Sequence, residues 1–171
     1  MARYRIVPNR SQVWIDARST LHPIRSRTDG LEGFLDLELD DAGHVQPGSS
    51  QAAELTLDVR RLSSGNRLED QEMQRRIDAR RYPRIVGVLV EMDPAGSDQS
   101  YHVSGDVTFR GVARRCQDQM TLSVLDDETV QLAGSSRFDI RDFGMQPPRV
   151  LMLRVEPEVD VRVEIVARKE A

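Results

Sequence analysis

Long apolar runs are missing from this sequence of 171 residues. No segment approaches the ~18 consecutive apolar residues that a transmembrane helix needs. The start of the chain, MARYRIVPNRSQVW, also lacks the apolar stretch of a secretory signal, being interrupted by Arg3, Arg5 and Arg10. Cysteine is almost absent too. The single Cys116 can form no internal disulfide, so nothing argues for an oxidising compartment, and a cytoplasmic location is expected. Net positive charge is lacking: the formal charge is -4 and the isoelectric point about 5.4. That balance gives no global attraction for nucleic acid or anionic lipid, so neither nucleic-acid binding nor stable membrane insertion is expected.

The common chemical signatures are missing as well. His22, His44 and His102 lie far apart without partners at metal-ligand spacing, so no metal site is expected. Ser63-Ser64 and Ser135-Ser136 have no G-x-S-x-G elbow around them, and the acid pairs Asp40-Asp41 and Asp126-Asp127 fall at turns, where they serve solvation and turn hydrogen bonds. No glycine-rich phosphate loop follows a strand. No catalytic residue is therefore assigned. Repeats, heptads and low-complexity tracts are also lacking, which leaves one domain over residues 1–171.

What is present is alternation. With 39% hydrophobic and 30% charged residues the composition is that of a soluble globular protein. Val159, Val161, Val163 and Ile165 alternate with Asp160, Arg162 and Glu164, the pattern of a strand with one buried face. The same period picks out Val13, Ile15 and Ala17, then Leu35, Leu37 and Leu39, and Leu55, Leu57 and Val59. Further on it recurs at Val103, Val107 and Phe109, at Met120, Leu122 and Val124, and at Phe138 and Ile140. Residues 85–92 are apolar on both parities, leaving the register of that strand open. About eight or nine strands separated by short turns predict a sandwich or a closed up-and-down barrel.

One segment breaks the pattern. Asn66 followed by Glu69 resembles a capping box, in which each side chain takes up a free backbone N–H at a helix start. Met73 and Ile77 share a face, Glu72 can reach Arg76, arginines crowd the far end, and Pro83 forbids continuation. This predicts a short amphipathic helix over about 66–80, pressed against an open end of the sheet. Trp14 lies on the parity opposite Val13 and Ile15, so it either packs beneath a neighbouring loop or helix, the expectation taken here, or contributes to a subunit contact. Five of the six methionines, Met73, Met92, Met120, Met145 and Met152, suit either a pliable apolar lining or ordinary core.

Taken in order, Tyr4-Arg-Ile6, Ser11-Gln-Val13, Gly30 to Phe34, and Ser64-Gly-Asn66 with Asp70 resemble the YceI-like family, the lipocalin-like polyisoprenoid-binding proteins. The resemblance continues through Met73, Tyr82-Pro83, Gly105 to Val112 and Asp142-Phe-Gly-Met145. It implies a mainly β fold: an extended antiparallel lipocalin-like barrel with one short helix between middle strands, enclosing an apolar tunnel for a long isoprenoid chain. It also implies a homodimer. Three departures bear on the site. Arg10 stands where the family usually has His. The region Arg76-Ile-Asp-Ala79 is shorter than usual. Gly87 falls near the position of a Phe, which would widen the interior.

On this reading the protein is no enzyme but a carrier or store for a polyisoprenoid or similar long-chain lipid, needing no cofactor beyond a bound isoprenoid or isoprenoid quinone. The candidate lining is Val13, Ile15, Leu35, Leu37, Leu57, Val59, Met73, Ile77 and Gly87, continued by Val107, Phe109, Leu122, Val124, Phe138, Ile140, Phe143 and Met145. A tail of twenty carbons offers about 16 kcal/mol gross at roughly 0.8 kcal/mol per CH₂, before ordering and association costs are subtracted. The alternatives are an enzyme acting on an apolar substrate inside the barrel, and a dimeric stress or interaction protein whose barrel is filled by its own side chains.

Overall fold

The computed structural model describes residues 1–97 and 99–171. The alternating segments become strands: β1 (Ala2–Ile6), β2 (Gln12–Ser19), β3 (Ile24–Thr28), β4 (Glu32–Leu37) and β5 (Ala52–Asp58) precede the helix α1 (Arg67–Ile77). After it come β6 (Arg84–Pro94), β7 (Ser100–Phe109), β8 (Val112–Asp126), β9 (Thr129–Asp139), β10 (Arg149–Val150) and β11 (Leu153–Lys169). Antiparallel pairing runs β1-β4-β5-β6-β7-β8-β9-β11 and returns from β11 to β1, so eight strands close a barrel. The choice left open between sandwich and barrel is settled by that last pairing.

The ring is not uniform along its axis. β11 is long enough to carry two partners on one side: Ala167 to Lys169 pair with β1, while Val155 to Glu164 pair with β2, which in turn holds β3. The loops 38–51 and 127–128 therefore lie at the β1–β4 end. The turn 20–23, the segment 59–83 that contains α1, the turn 110–111 and the segment 140–152 gather at the other end, called here the α1 end. There the wall parts in two places. The β8–β9 ladder stops at Met120–Gly134 although both strands continue, and β3 pairs with the segment after β5 through the isolated Arg27–Ser63 bridge.

Several local expectations needed the fold to decide them. The strand over residues 85–92 reads apolar on both parities because it carries a bulge: Leu89 pairs with Gly105 and Glu91 with Ser104, leaving Val90 extra. Side chains before and after the bulge thus reach the interior on opposite parities, Ile85, Gly87 and Leu89 first and Met92 afterwards. Leu39, Val59 and Ile140 end their alternating runs outside the strands, the last two in single turns of 3-10 helix. Among the described residues Trp14 packs against a strand neighbour and not beneath a loop or helix. Its ring is half-buried on the outer face beneath the Arg162 guanidinium, 4.1 Å away, because Arg162 is its cross-strand partner.

The helix is shorter than 66–80 and ends at Ile77, where Asp78 takes a left-handed conformation (φ 60°). The capping box is half-formed. Asn66 accepts from the amides of Leu68 and Glu69, but its own amide donates to Ser64 Oγ at 3.2 Å, so Glu69 is not needed there and turns elsewhere.

Candidate functional site

The interior is filled at one end and hollow at the other. Toward the β1–β4 end Tyr4, Leu35, Leu37, Met92, Leu122, Val130 and Ile165 pack into one core. Tyr101 joins them, its hydroxyl accepting a hydrogen bond from the Val45 amide at 3.0 Å and tying loop 38–51 over that end. Toward the α1 end lies a cavity of about 290 Å³. It is blind, since the core closes it above.

Each wall follows from local pattern. β2 and β3 contribute Val13, Ile15, Ala17, Ile24 and Ser26; β5 contributes Leu55 and Leu57; β6 and β7 contribute Ile85, Gly87, Val107 and Phe109. From β11 come Val155, Val159, Val161 and Val163, the clean alternation that marks a half-buried strand. α1 forms the remaining wall with Glu69, Met73 and Ile77, spaced four apart, and with Asp70 and Gln74 beside them. Where β8 and β9 separate, the turn 140–143 fills the breach. Phe143 stands edge-on to Phe109 at 5.8 Å and tilted to Phe138 at 6.3 Å, joining β7 to β9.

Of the residues expected to line a tunnel, the structure brings Val13, Ile15, Leu57, Val59, Met73, Ile77 and Gly87 to this cavity, with Val107, Phe109, Phe138, Ile140, Phe143 and Met145. Four do not reach it. Leu35, Leu37 and Leu122 face inward but belong to the packed core, where other side chains surround them. Val124 stands at the rim of the filled end, 45% exposed and close to Gly43. Among the methionines, Met73 and Met145 line the cavity, Met92 is core, and Met152 is 87% exposed.

The valines of β11 were legible as a strand and lacked only a signal for depth along the barrel. Glu69 was missed because its spacing from Asn66 suggested a cap. At Gly87 an added Cβ would meet nothing within 4 Å, so the absent side chain leaves space that no neighbour refills.

Polar groups are few and one-sided. Among the described residues no lysine, arginine or histidine lines the cavity; the charged residues in its wall are Glu69 and Asp70. Asp70 is engaged, accepting from the Ser64 hydroxyl at 2.6 Å and the Ser64 amide at 3.0 Å, which holds the loop before α1. Glu69 is 7% exposed and forms no hydrogen bond through its carboxylate among the described residues; the His22 imidazole Nε2 lies 3.7 Å from its Oε1. Cys116 lies elsewhere, on β8, and burial pushes its thiol pKa up, with Asp118, Asp106 and Asp142 adding to the shift. Among the described residues no three His, Cys, Asp or Glu side chains assemble as metal ligands, and no helix is long and apolar enough to cross a membrane.

A family model described as the YceI-like domain matches residues 4–167. No curated protein matches. Among solved structures, BcnA of Burkholderia cenocepacia superposes with a TM-score of 0.79 at 20% identity, covering 95% of this chain and 99% of its own. A polyisoprenoid-binding domain from Saccharophagus degradans, implicated in plant cell wall breakdown, gives 0.76 at 15% identity, covering 99% and 100%. The YceI protein of Campylobacter jejuni gives 0.68 at 12% identity over 86% of each chain. At these identities the likeness is one of fold.

Proposed function

The chain belongs to the YceI-like family, and from that premise we propose that it is a non-enzymatic binder of a polyisoprenoid or similar long-chain amphiphile, serving transport or storage. The observation that carries the reading is the blind cavity walled almost wholly by aliphatic and aromatic side chains, with Gly87 leaving its centre open. An apolar chain entering it leaves water at roughly 0.8 kcal/mol per CH₂. The filled end stops the tail, so the head remains toward α1.

There the Glu69 carboxylate, an acceptor of hydrogen bonds, stands in the wall without a hydrogen-bond partner among the described residues. A neutral head bearing a hydroxyl or amine suits it; a carboxylate or phosphate at the same depth meets like charge, with no lysine, arginine or histidine in the lining among the described residues. A homodimer and a cytoplasmic location belong to the proposal as well.

The test is native mass spectrometry and solvent extraction of protein purified without added lipid, followed by titration with a fluorescent prenyl probe. A long-chain adduct or saturable one-site uptake supports the reading; neither adduct nor uptake overturns it. A second reading, catalysis on an apolar substrate, draws on Glu69 beside His22. It requires turnover of the bound chain that disappears in Glu69→Gln.

A further inference from the structure

Single exposed hydrophobic residues are ordinary, but a group of them around one opening is not. At the α1 end Met152 is 87% exposed, Leu21 79%, Leu68 62% and Leu151 49%. They sit on three segments that the fold gathers together. The Thr20 amide donates to Arg154 O at 3.1 Å, which ties the Leu21 turn to the 151–152 hairpin. His22 approaches Glu69, next to Leu68. The hairpin tip itself is unusual: Val150 pairs with Leu153, so Leu151 and Met152 form a two-residue turn, with Leu151 at φ 56°. Asn-Gly is the favoured occupant of such a tip, and Leu-Met instead holds two apolar side chains out in water.

Arginine surrounds this collar. Arg18, Arg25, Arg67, Arg149 and Arg154 are all exposed, and none enters an ion pair among the described residues. The asymmetry extends along the barrel. The α1-end segments 20–23, 59–83, 110–111 and 140–152 hold ten arginines against five acids, whereas loops 38–51 and 127–128 at the filled end hold five acids and no arginine or lysine. Arg3, Arg5 and Arg168, near that end, are each held in an ion pair. The 17 residues of β11 span roughly 55 Å at ~3.3 Å per residue, several times the ~10 Å screening length at moderate salt. A surface approaching the α1 end therefore feels that end and not the net charge.

We infer that the α1 end docks on a lipid surface carrying anionic headgroups, with Leu21, Leu68, Leu151 and Met152 entering the headgroup layer and the surrounding arginines on its phosphates. Guanidinium groups suit bidentate contact with phosphate, and short apolar tips beside them match an interfacial mode of binding. A second copy of the chain is the poorer occupant, because mouth-to-mouth contact would bring two sets of arginines together. That docking serves to load or unload the cavity rests on the function proposed above; the contact itself does not.

The test is flotation of the full chain with vesicles of phosphatidylcholine alone and of phosphatidylcholine mixed with phosphatidylglycerol, at low and high salt. Binding is expected only to the anionic vesicles and should fall with salt. It should drop about ten-fold or more in Leu21→Ser/Met152→Ser and in Arg149→Gln/Arg154→Gln, each having lost two of the contacts. Equal association with both vesicle types overturns the inference, as does unchanged binding in either double variant. So does a wild-type dimer that the serine variant turns into a monomer while vesicles are ignored. Uptake of a soluble prenyl probe from water separates the two claims. Docking without uptake sinks the proposed function alone, and uptake without docking sinks this inference alone.

Discussion

Gly87 and Leu122 face the same barrel interior and meet opposite surroundings: a Cβ added at Gly87 would touch nothing within 4 Å, whereas Leu122 is 1% exposed in a closed-packed core. That contrast divides the molecule into a part that holds the fold and a part that can hold a guest.

Gly87→Phe should place a ring in the cavity without backbone strain. Probe affinity is expected to fall ten-fold or more. Thermal stability should be unchanged or raised, since filling a void commonly adds about 0.5–2 kcal/mol. Fluorescence titration beside a thermal melt checks both; loss of binding together with a lowered melting temperature would mean misfolding, not occlusion.

Leu122→Ala is expected to destabilise by about 2–5 kcal/mol, the range for a truncated leucine in a packed core. Ile15→Ala, on the cavity wall, should lose about 1 kcal/mol, because its outer methyls already border space without partner atoms. Urea unfolding of the two variants gives the comparison, and equal losses would argue that the cavity is filled in solution.

Replacing Glu69 by Gln removes one of the two acidic groups in the lining, the one that Ser64 does not engage, while keeping its size. The variant should bind a prenyl alcohol about as well as the parent and a prenyl phosphate several-fold better. Competition between the two against one probe measures this. If the ratio does not move, the carboxylate does not meet the head.

The pH response of stability has a defined sign at Arg3 and Asp36, joined by two hydrogen bonds of 2.7 Å. The guanidinium holds the Asp36 carboxyl below its ordinary range. A group whose folded pKa is depressed stabilises above its unfolded pKa, about 4 for aspartate, and loses that contribution as pH falls toward the folded value. Wild type should thus exceed Asp36→Asn in urea midpoint at neutral pH, with the gap closing below about pH 4. A gap that persists under acid would show that the pair contributes by packing.

Much of this was legible before any coordinates. Alternation marked the β2, β5, β8, β9 and β11 strands, because a half-buried strand must place apolar groups on one side. The helix announced itself through Asn66, the Met73–Ile77 pair and Pro83. Ambiguity arose where a second factor entered. Residues 85–92 satisfied both parities because of a bulge whose extra residue, Val90, only pairing with β7 reveals. Glu69 looked like half of a cap until Ser64 took the Asn66 amide in its place.

The sequence by itself determined which side chains face inward in the cleanly alternating strands, where the helix begins and that the fold is mainly β, since these depend on neighbours two to four residues apart. Only the tertiary structure decided that Leu35, Leu37 and Leu122 meet other side chains while Val13, Val107 and Val161 border a hollow. Period-two alternation specifies a face but not a height along the barrel. Whether opposite walls touch depends on where the ladders hold together and where, as between β8 and β9, they part.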